Sequence, residues 1–484
     1  MEKSKENIEM SCMVDVTKFV KKAKSNKINL KNFYKKLSKK LRKWNSEYRH
    51  LVLINEIDSV EFSLPNGNLY GVPLSVKDCI CVKGMESRAG SAILHGYKPT
   101  FNATAVQNAL NNGAVIIGKT SQDEFGFGTF NVNVGKGFEI PLNPHDKKRS
   151  CGGSSGGAAG LTALLAMNKI PHLAIAESTG GSIACPASFC GVAGFTPTYG
   201  LVSRYGLIDY ANSLDKIGAI ARTTIEAALL LENIAGFDEK DSTSVSVNLK
   251  LTKTDTNIEN LTLGIVKDFF SEGIDREVAD IVWRKIKELE AKGVELKEVS
   301  LPLNAKYGLA TYYIVAMSEA STNLAKYCGI RYGAALKLEG NFDEYFSKVR
   351  SKFFGEEAKR RIILGTFARQ HGFRDAYYIR ALKLRSKLIK EFKKVFKSCD
   401  VVVHPTMPII APRFDEIEKL TPLQNYAMDL CTVPANLAGL PHLSVNAGFS
   451  RRMPVGIMFT ADHFNEEKLV KIGINAEEPI GEKE

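Results

Sequence analysis

Residues 151–200 read CGGSSGGAAG LTALLAMNKI PHLAIAESTG GSIACPASFC GVAGFTPTYG, and this stretch decides the fold. It is rich in Gly, Ser, Thr and Ala and poor in charge. It lies between apolar segments and contains Leu161–Met167, so it fits a packed centre where backbones approach closely better than a flexible linker. Two blocks inside it bear on chemistry. Gly152-Gly-Ser-Ser-Gly-Gly157 frames two serines with glycine pairs, and Ala158–Met167 continues it as an apolar helix. Ser178-Thr-Gly-Gly-Ser182 offers successive backbone N–H groups without Cβ obstruction, a nest able to stabilise an oxyanion beside Ser182. Taken singly, the first also reads as a linker and the second as a plain Gly turn.

Working outward, a third block precedes them. Gly71-Val-Pro-Leu-Ser-Val-Lys-Asp78 is a short apolar strand ending at Lys77. Serine nucleophiles need a base, and none of the eight histidines stands in a recognisable triad motif. A buried lysine loses part of its preference for charge, and its neutral amine is a usable base. A lysine at a strand end otherwise points to water.

One motif points elsewhere. Gly113-Ala-Val-Ile-Ile-Gly-Lys-Thr120 fits G-x-x-x-x-G-K-[ST]. A phosphate loop follows a strand and opens a helix. Here the helical stretch Ala103–Asn112 precedes it, Ala, Val, Ile and Ile fill it, and no helix opens at Thr120, so it reads as a buried strand.

The chain has 484 residues, 44 % apolar and 24 % charged, the balance of an ordinary soluble globular protein with a large core. Length alone gives a prior of about three domains, though large α/β enzymes run longer as one. No apolar run approaches the roughly 18 residues of a membrane span, and MEKSKENIEM has no signal-peptide character. Nine cysteines, without a paired framework or metal-ligand spacing, read as reduced cytosolic thiols with no metal site. The formal charge of +12 suits either a polyanionic partner or a solvated surface.

Residues 1–50 read as a basic helical preface, with Val14, Phe19, Val20, Leu30, Phe33, Leu37 and Leu41 at helical spacing among lysines. Residues 51–484 read as one α/β domain. Its strands include Leu261–Val266, Val294–Val299 and Asp400–Val403, its helices Asp275–Gly293, and basic amphipathic helices fill about 309–398. Residues 239–260 form a polar surface excursion.

GVPLSVKD, GGSSGG, STGGSIACPASFCGVAGFTPTYG and NSLDKIG, in this order, resemble the amidase signature family from about residue 60 to 460. The resemblance implies a central mixed sheet flanked by helices and a triad of Ser182 as nucleophile, Ser154 behind a cis peptide as proton relay, and Lys77 as base. It implies oxyanion N–H groups at Thr179, Gly180, Gly181 and Ser182. Segments Lys119–Phe125, Thr196–Gly206, Tyr312–Gly333 and Arg360–Phe367 are most similar to the branch of the family that supplies tRNA-dependent amidotransferases with their glutaminase component. That branch implies glutamine as substrate, held by Tyr312, Arg361 and Asp429. An arginine suits the α-carboxylate and an aspartate the α-ammonium. It further implies no cofactor in this chain, with ATP and Mg²⁺ in a kinase-like B subunit that binds tRNA. A small C subunit completes the implied partners, tRNA is held mainly by the partner, and the location is cytoplasmic without membrane contact. A stand-alone amidase, or an inert basic RNA-binding scaffold, are the other readings. The chain departs from the family pattern in four places. Ser154 and Ser182 are 28 positions apart, four more than the commonest spacing, with the extra residues near Met167–Leu173. Ser178 replaces an Asp, with Glu177 beside it; Ala184 replaces an Arg; Cys151 replaces a Pro.

Overall fold

The computed structural model describes residues 15–57, 62, 64–270 and 273–480. Val14 lies outside them. Eleven strands form one mixed sheet: β1 (Leu51–Ile54), β2 (Pro73–Lys77), β3 (Val115–Thr120), β4 (Leu173–Ser178), β5 (Ala193–Thr196), β6 (Lys216–Ala221), β7 (Thr262–Val266), β8 (Glu295–Val299), β9 (Val401–Pro405), β10 (His442–Ser450) and β11 (Met453–Ala461). Their spatial order is β1-β3-β2-β4-β6-β5-β10-β11-β9-β7-β8. Pairs β2–β3, β2–β4, β7–β9 and β7–β8 run parallel, and the remaining pairs run antiparallel. Every residue of β2, β3, β4, β5, β6, β9 and β11 is buried. Strands covered on both faces read as continuous apolar runs rather than alternating ones.

The Gly113–Thr120 motif is occupied by β3, preceded by the helix Thr104–Asn111. Lys119 is fully buried, and its Nζ donates to the Ser87 hydroxyl (2.9 Å) and the Ile80 carbonyl. The lysine therefore closes a loop onto the sheet and does not stand in a phosphate cradle.

The preface forms two helices, Val16–Lys24 and Leu30–Tyr48, started by the side chains of Asp15 and Asn29, which accept from Lys18 and Asn32 N–H. Their apolar faces (Phe19, Tyr34, Leu37, Leu41) join the main core. Tyr34 donates to the Gly71 carbonyl (2.9 Å), and the Val16 N–H donates to Glu226 (2.9 Å), so the preface is clasped to the body. The 309–398 region begins earlier than its pattern indicates. The helix Pro302–Asn323, opened by a proline at its first turn, is buried on several sides and packs on Glu356–Arg369 and Arg380–Val395. The 239–260 excursion lies largely at the surface, pinned by buried Leu251. Among the described residues, no helix is long and apolar enough to cross a membrane.

Candidate active site

β2 and β4 are parallel neighbours, with Val76 opposite Ile175. Their carboxyl ends therefore finish on the same edge of the sheet, where open α/β sheets bind ligands. Lys77, the last residue of β2, meets the turn that leaves β4. The helix Gly156–Met167 directs its N-terminal loop, with Ser154, to the same edge. The ladder of β4 ends at Ser178, opposite Lys216, so Thr179–Ser182 form a turn beyond it.

Three groups surround the Lys77 amine. Its Nζ lies 2.7 Å from Ser154 Oγ, 2.9 Å from the Glu177 carbonyl and 2.8 Å from Glu177 Oε2. As an ammonium it donates to all three. As an amine it donates to the two Glu177 oxygens and turns its lone pair to the Ser154 hydroxyl. Lys77 is fully buried, not turned to water as a strand-end lysine otherwise is, and its burial is compensated by an ion pair whose carboxylate is itself only 4 % exposed. The Gly153–Ser154 peptide is cis.

The Ser182-bearing turn is held from several sides. The Ser155 N–H donates to the Ser182 carbonyl (3.1 Å), locking the two serine loops together. The Ser155 hydroxyl donates to the Glu177 carbonyl (3.1 Å), and Ser178 Oγ donates to the Gly180 carbonyl (3.2 Å). Asn436 Nδ2 donates to the carbonyls of Thr179 and Leu214. Ser154 and Lys77 are wholly buried, whereas Ser182 keeps 6 % exposure, as a group that meets substrate requires. A Cβ on Gly180 would stand 2.9 Å from the Tyr312 ring, and one on Gly181 would stand 2.3 Å from Thr432 Oγ1. Glycine at both places is a matter of space as well as of exposed N–H groups.

Tyr312 therefore lies directly over the proposed oxyanion turn. Arg361 and Asp429 come from separate elements. Arg361 is buried; its Nε donates to Glu357 Oε1 (2.8 Å), and its Nη1 donates to the Tyr210 hydroxyl (2.6 Å). Phe127, Tyr210, Tyr313 and Tyr426 present their rings to its guanidinium at 5.1–5.7 Å, a favourable cation–π setting. Asp429 accepts from the Tyr313 hydroxyl (2.6 Å). Burial pushes its carboxyl up from the usual range, opposed by hydrogen bonds from Tyr313 and Thr129 and by the charge of Arg361. A cavity of about 230 Å³ opens beside Arg361, lined by Thr129, Phe130, Asn133, Glu357 and Tyr426.

Sequence reading missed several of these partners. It marked Tyr312, yet the adjacent Tyr313 is the residue bonded to Asp429. It passed over Glu357, although a Glu four residues before an Arg on a helix is a readable ion-pair spacing. It noted Glu177 only as a neighbour of Ser178. Asp215 stood inside the quoted NSLDKIG segment with no role assigned.

Residues 18–470 match the Amidase family. The A subunit of glutamyl-tRNA(Gln) amidotransferase from Methanosarcina mazei is 44 % identical over 407 residues, covering 84 % of this chain and 83 % of that protein. Its namesake from Archaeoglobus fulgidus is 44 % identical over 416 residues, covering 86 % and 88 %. Among solved structures, the corresponding glutamyl-tRNA(Gln) amidotransferase chain of Thermotoga maritima superimposes with a TM-score of 0.77 at 33 % identity, covering 94 % of this chain and 95 % of that one.

Proposed function

The chain belongs to the amidase family, and on that premise we propose that it is the glutamine-hydrolysing component of a tRNA-dependent amidotransferase. The observation that carries the chemistry is the 2.7 Å contact between Lys77 Nζ and Ser154 Oγ, beside a Gly-Gly turn that bears Ser182. The relatives named for glutamyl-tRNA(Gln) amidotransferase support the substrate.

In this reading Ser182 Oγ attacks the side-chain amide carbon of glutamine. Its proton passes to Ser154, whose own proton passes to the Lys77 amine. The N–H groups of Thr179, Gly180, Gly181 and Ser182 receive the developing oxyanion. The ammonium at Lys77 then returns a proton through Ser154 to the leaving nitrogen, releasing ammonia and a glutamyl ester of Ser182. Water hydrolyses the ester over the same relay. Arg361 receives the α-carboxylate, Asp429 the α-ammonium, and Tyr312 covers the turn. Arg361 already faces Glu357 and Tyr210, so its fork is held in place before substrate arrives, which reduces the ordering cost of binding.

The ammonia serves a kinase-like B subunit that binds tRNA and uses ATP and Mg²⁺ to activate Glu-tRNA(Gln) or Asp-tRNA(Asn), with a small C subunit completing a cytoplasmic complex. This chain then needs no cofactor of its own. The test is co-expression with the candidate partners and assay of glutamine-dependent amidation of both misacylated tRNAs. The chain alone gives weak glutaminase activity that the partners stimulate. Rapid turnover of unrelated small amides, with no response to partners, would instead make it a stand-alone amidase.

A further inference from the structure

The hydrogen-bonded line at Lys77 does not stop at Glu177. Glu177 Oε2 receives Lys77 Nζ at 2.8 Å, and its other oxygen, Oε1, lies 2.7 Å from Thr179 Oγ1. The same Thr179 hydroxyl lies 2.8 Å from Asp215 Oδ1. Asp215 in turn accepts from the N–H groups of Tyr210 (2.9 Å) and Ala211 (3.0 Å). All four side chains are buried.

Counting protons constrains this line. A threonine hydroxyl carries one proton, yet two carboxyl oxygens sit within hydrogen-bond distance of it. One carboxyl must bring the second proton. Asp215 is the one: burial, and then the charge of Glu177, push its carboxyl well above the usual range. Asp215 donates to Thr179, Thr179 donates to Glu177, and Glu177 faces Lys77 as a carboxylate. Lysine and glutamate together then carry no net charge in a site closed to water.

We propose that Glu177 is a positioning residue of the hydrolysis, holding within the buried pair the proton that Lys77 must give up to become a base. The inference rests on the Ser182–Ser154–Lys77 reading. Before attack an N–H bond of the ammonium breaks and an O–H bond forms on Glu177 Oε2, leaving an amine and a carboxylic acid with no change in net charge; the acid O–H then turns aside and the amine rotates about its Cε–Nζ bond, so that its lone pair faces Ser154. The amine next takes the Ser154 proton as Ser154 takes that of Ser182. It gives that proton back to the leaving nitrogen, and Glu177 returns its own proton to Nζ at the end of turnover. No proton is exchanged with solvent to reach the active form, so its population is independent of pH while the pair stays neutral overall.

Among the described residues, Cys79 and Asp123 feel the charge of Lys77, and Tyr210 feels that of Asp215 at the far end of the line. Burial pushes the Cys79 thiol and the Tyr210 phenol up, away from neutral pH. Burial pushes Asp123 up to about 6, with Lys77 and backbone N–H groups opposing. Above about pH 7 Asp123 is mostly ionised, and the residual slope it gives is common to the wild type and the variants.

The experiment measures the rate at which a fluorophosphonate labels Ser182 in the full chain between about pH 7 and pH 9. The wild type gives a rate that changes less than about twofold over this range. Glu177→Gln keeps the size of the side chain but cannot hold the proton; its rate rises with pH, approaching about tenfold per unit, because Lys77 must now lose its proton to solvent. Glu177→Asp restores a flatter profile at a lower rate. Asp215→Asn can still donate to Thr179, so it keeps the flat shape although its rate falls. A Glu177→Gln profile as flat as wild type, merely lower, overturns the proposal, as does a wild-type profile that already rises tenfold per unit. A rising Asp215→Asn profile overturns the proton count. Labelling does not depend on glutamine, so a chain that is labelled as described but hydrolyses no glutamine defeats the substrate reading and leaves this inference standing.

Discussion

Lys77 was readable in sequence as a strand-end lysine and Ser182 as the end of a Gly-Gly turn, because glycine spacing and an apolar run leave marks in the chain itself. Their meeting was not readable from those marks alone; it depends on β2 and β4 being parallel neighbours, which no local pattern encodes. Glu177 was hidden for the same reason. An acid at the end of a buried strand is informative only once the facing lysine is known. Two residue-scale outcomes follow from the geometry. Ser182→Ala loses glutamine hydrolysis by at least about a thousandfold while its circular dichroism and thermal midpoint stay those of the wild type. Arg361→Lys loses the planar fork that faces Glu357 and Tyr210, so the KM for glutamine rises about tenfold to a hundredfold with a smaller change in kcat. A steady-state titration with glutamine separates the two effects, and an unchanged KM would remove Arg361 from the substrate site.

At the scale of the element, strands and helices in the middle of the chain were visible to within a few residues. Thr262–Val266, Arg276–Ala291 and Glu295–Val299 lie inside the stretches their apolar patterns mark. The stretch Met167–Leu173, where the sequence comparison with the family pattern puts the extra residues between Ser154 and Ser182, is the connection between the helix ending at Met167 and β4 beginning at Leu173. That connection lies at the end of the helix opposite Ser154. The helix Pro302–Asn323 was harder to see because its buried residues are spread around it, and a helix covered on several sides has no apolar stripe to betray its start. β3 gives the sharpest contrast between motif and element. Lys119→Met leaves the Ile80 carbonyl without its donor and takes from the Ser87 hydroxyl the nearer of its two donors, so the thermal midpoint falls, with a cost of about 1–3 kcal/mol. Calorimetry finds no ATP binding to wild type or variant; ATP binding by the wild type that Lys119→Met abolishes would restore the phosphate-loop reading.

At the scale of the whole molecule, the amphipathic preface was legible, but its attachment was not, because Glu226 lies 210 positions from Val16. Burial pushes the Glu226 carboxyl up to about 7, with Arg222 and the Val16 N–H opposing. A carboxyl raised on folding favours the native state fully below its unfolded value near 4.3, and that contribution is lost as pH rises through about 7. Stability therefore declines between these values, and Glu226→Gln flattens the decline when thermal midpoints are compared across the range. A decline equally steep in the variant would show that Glu226 is not its source. The central claim is that glutamine passes through an ester on Ser182. The direct measurement supplies glutamine and hydroxylamine to the co-expressed complex and quantifies γ-glutamyl hydroxamate by mass spectrometry. The wild type forms it and Ser182→Ala does not; hydroxamate formed by Ser182→Ala at the wild-type rate would contradict the account.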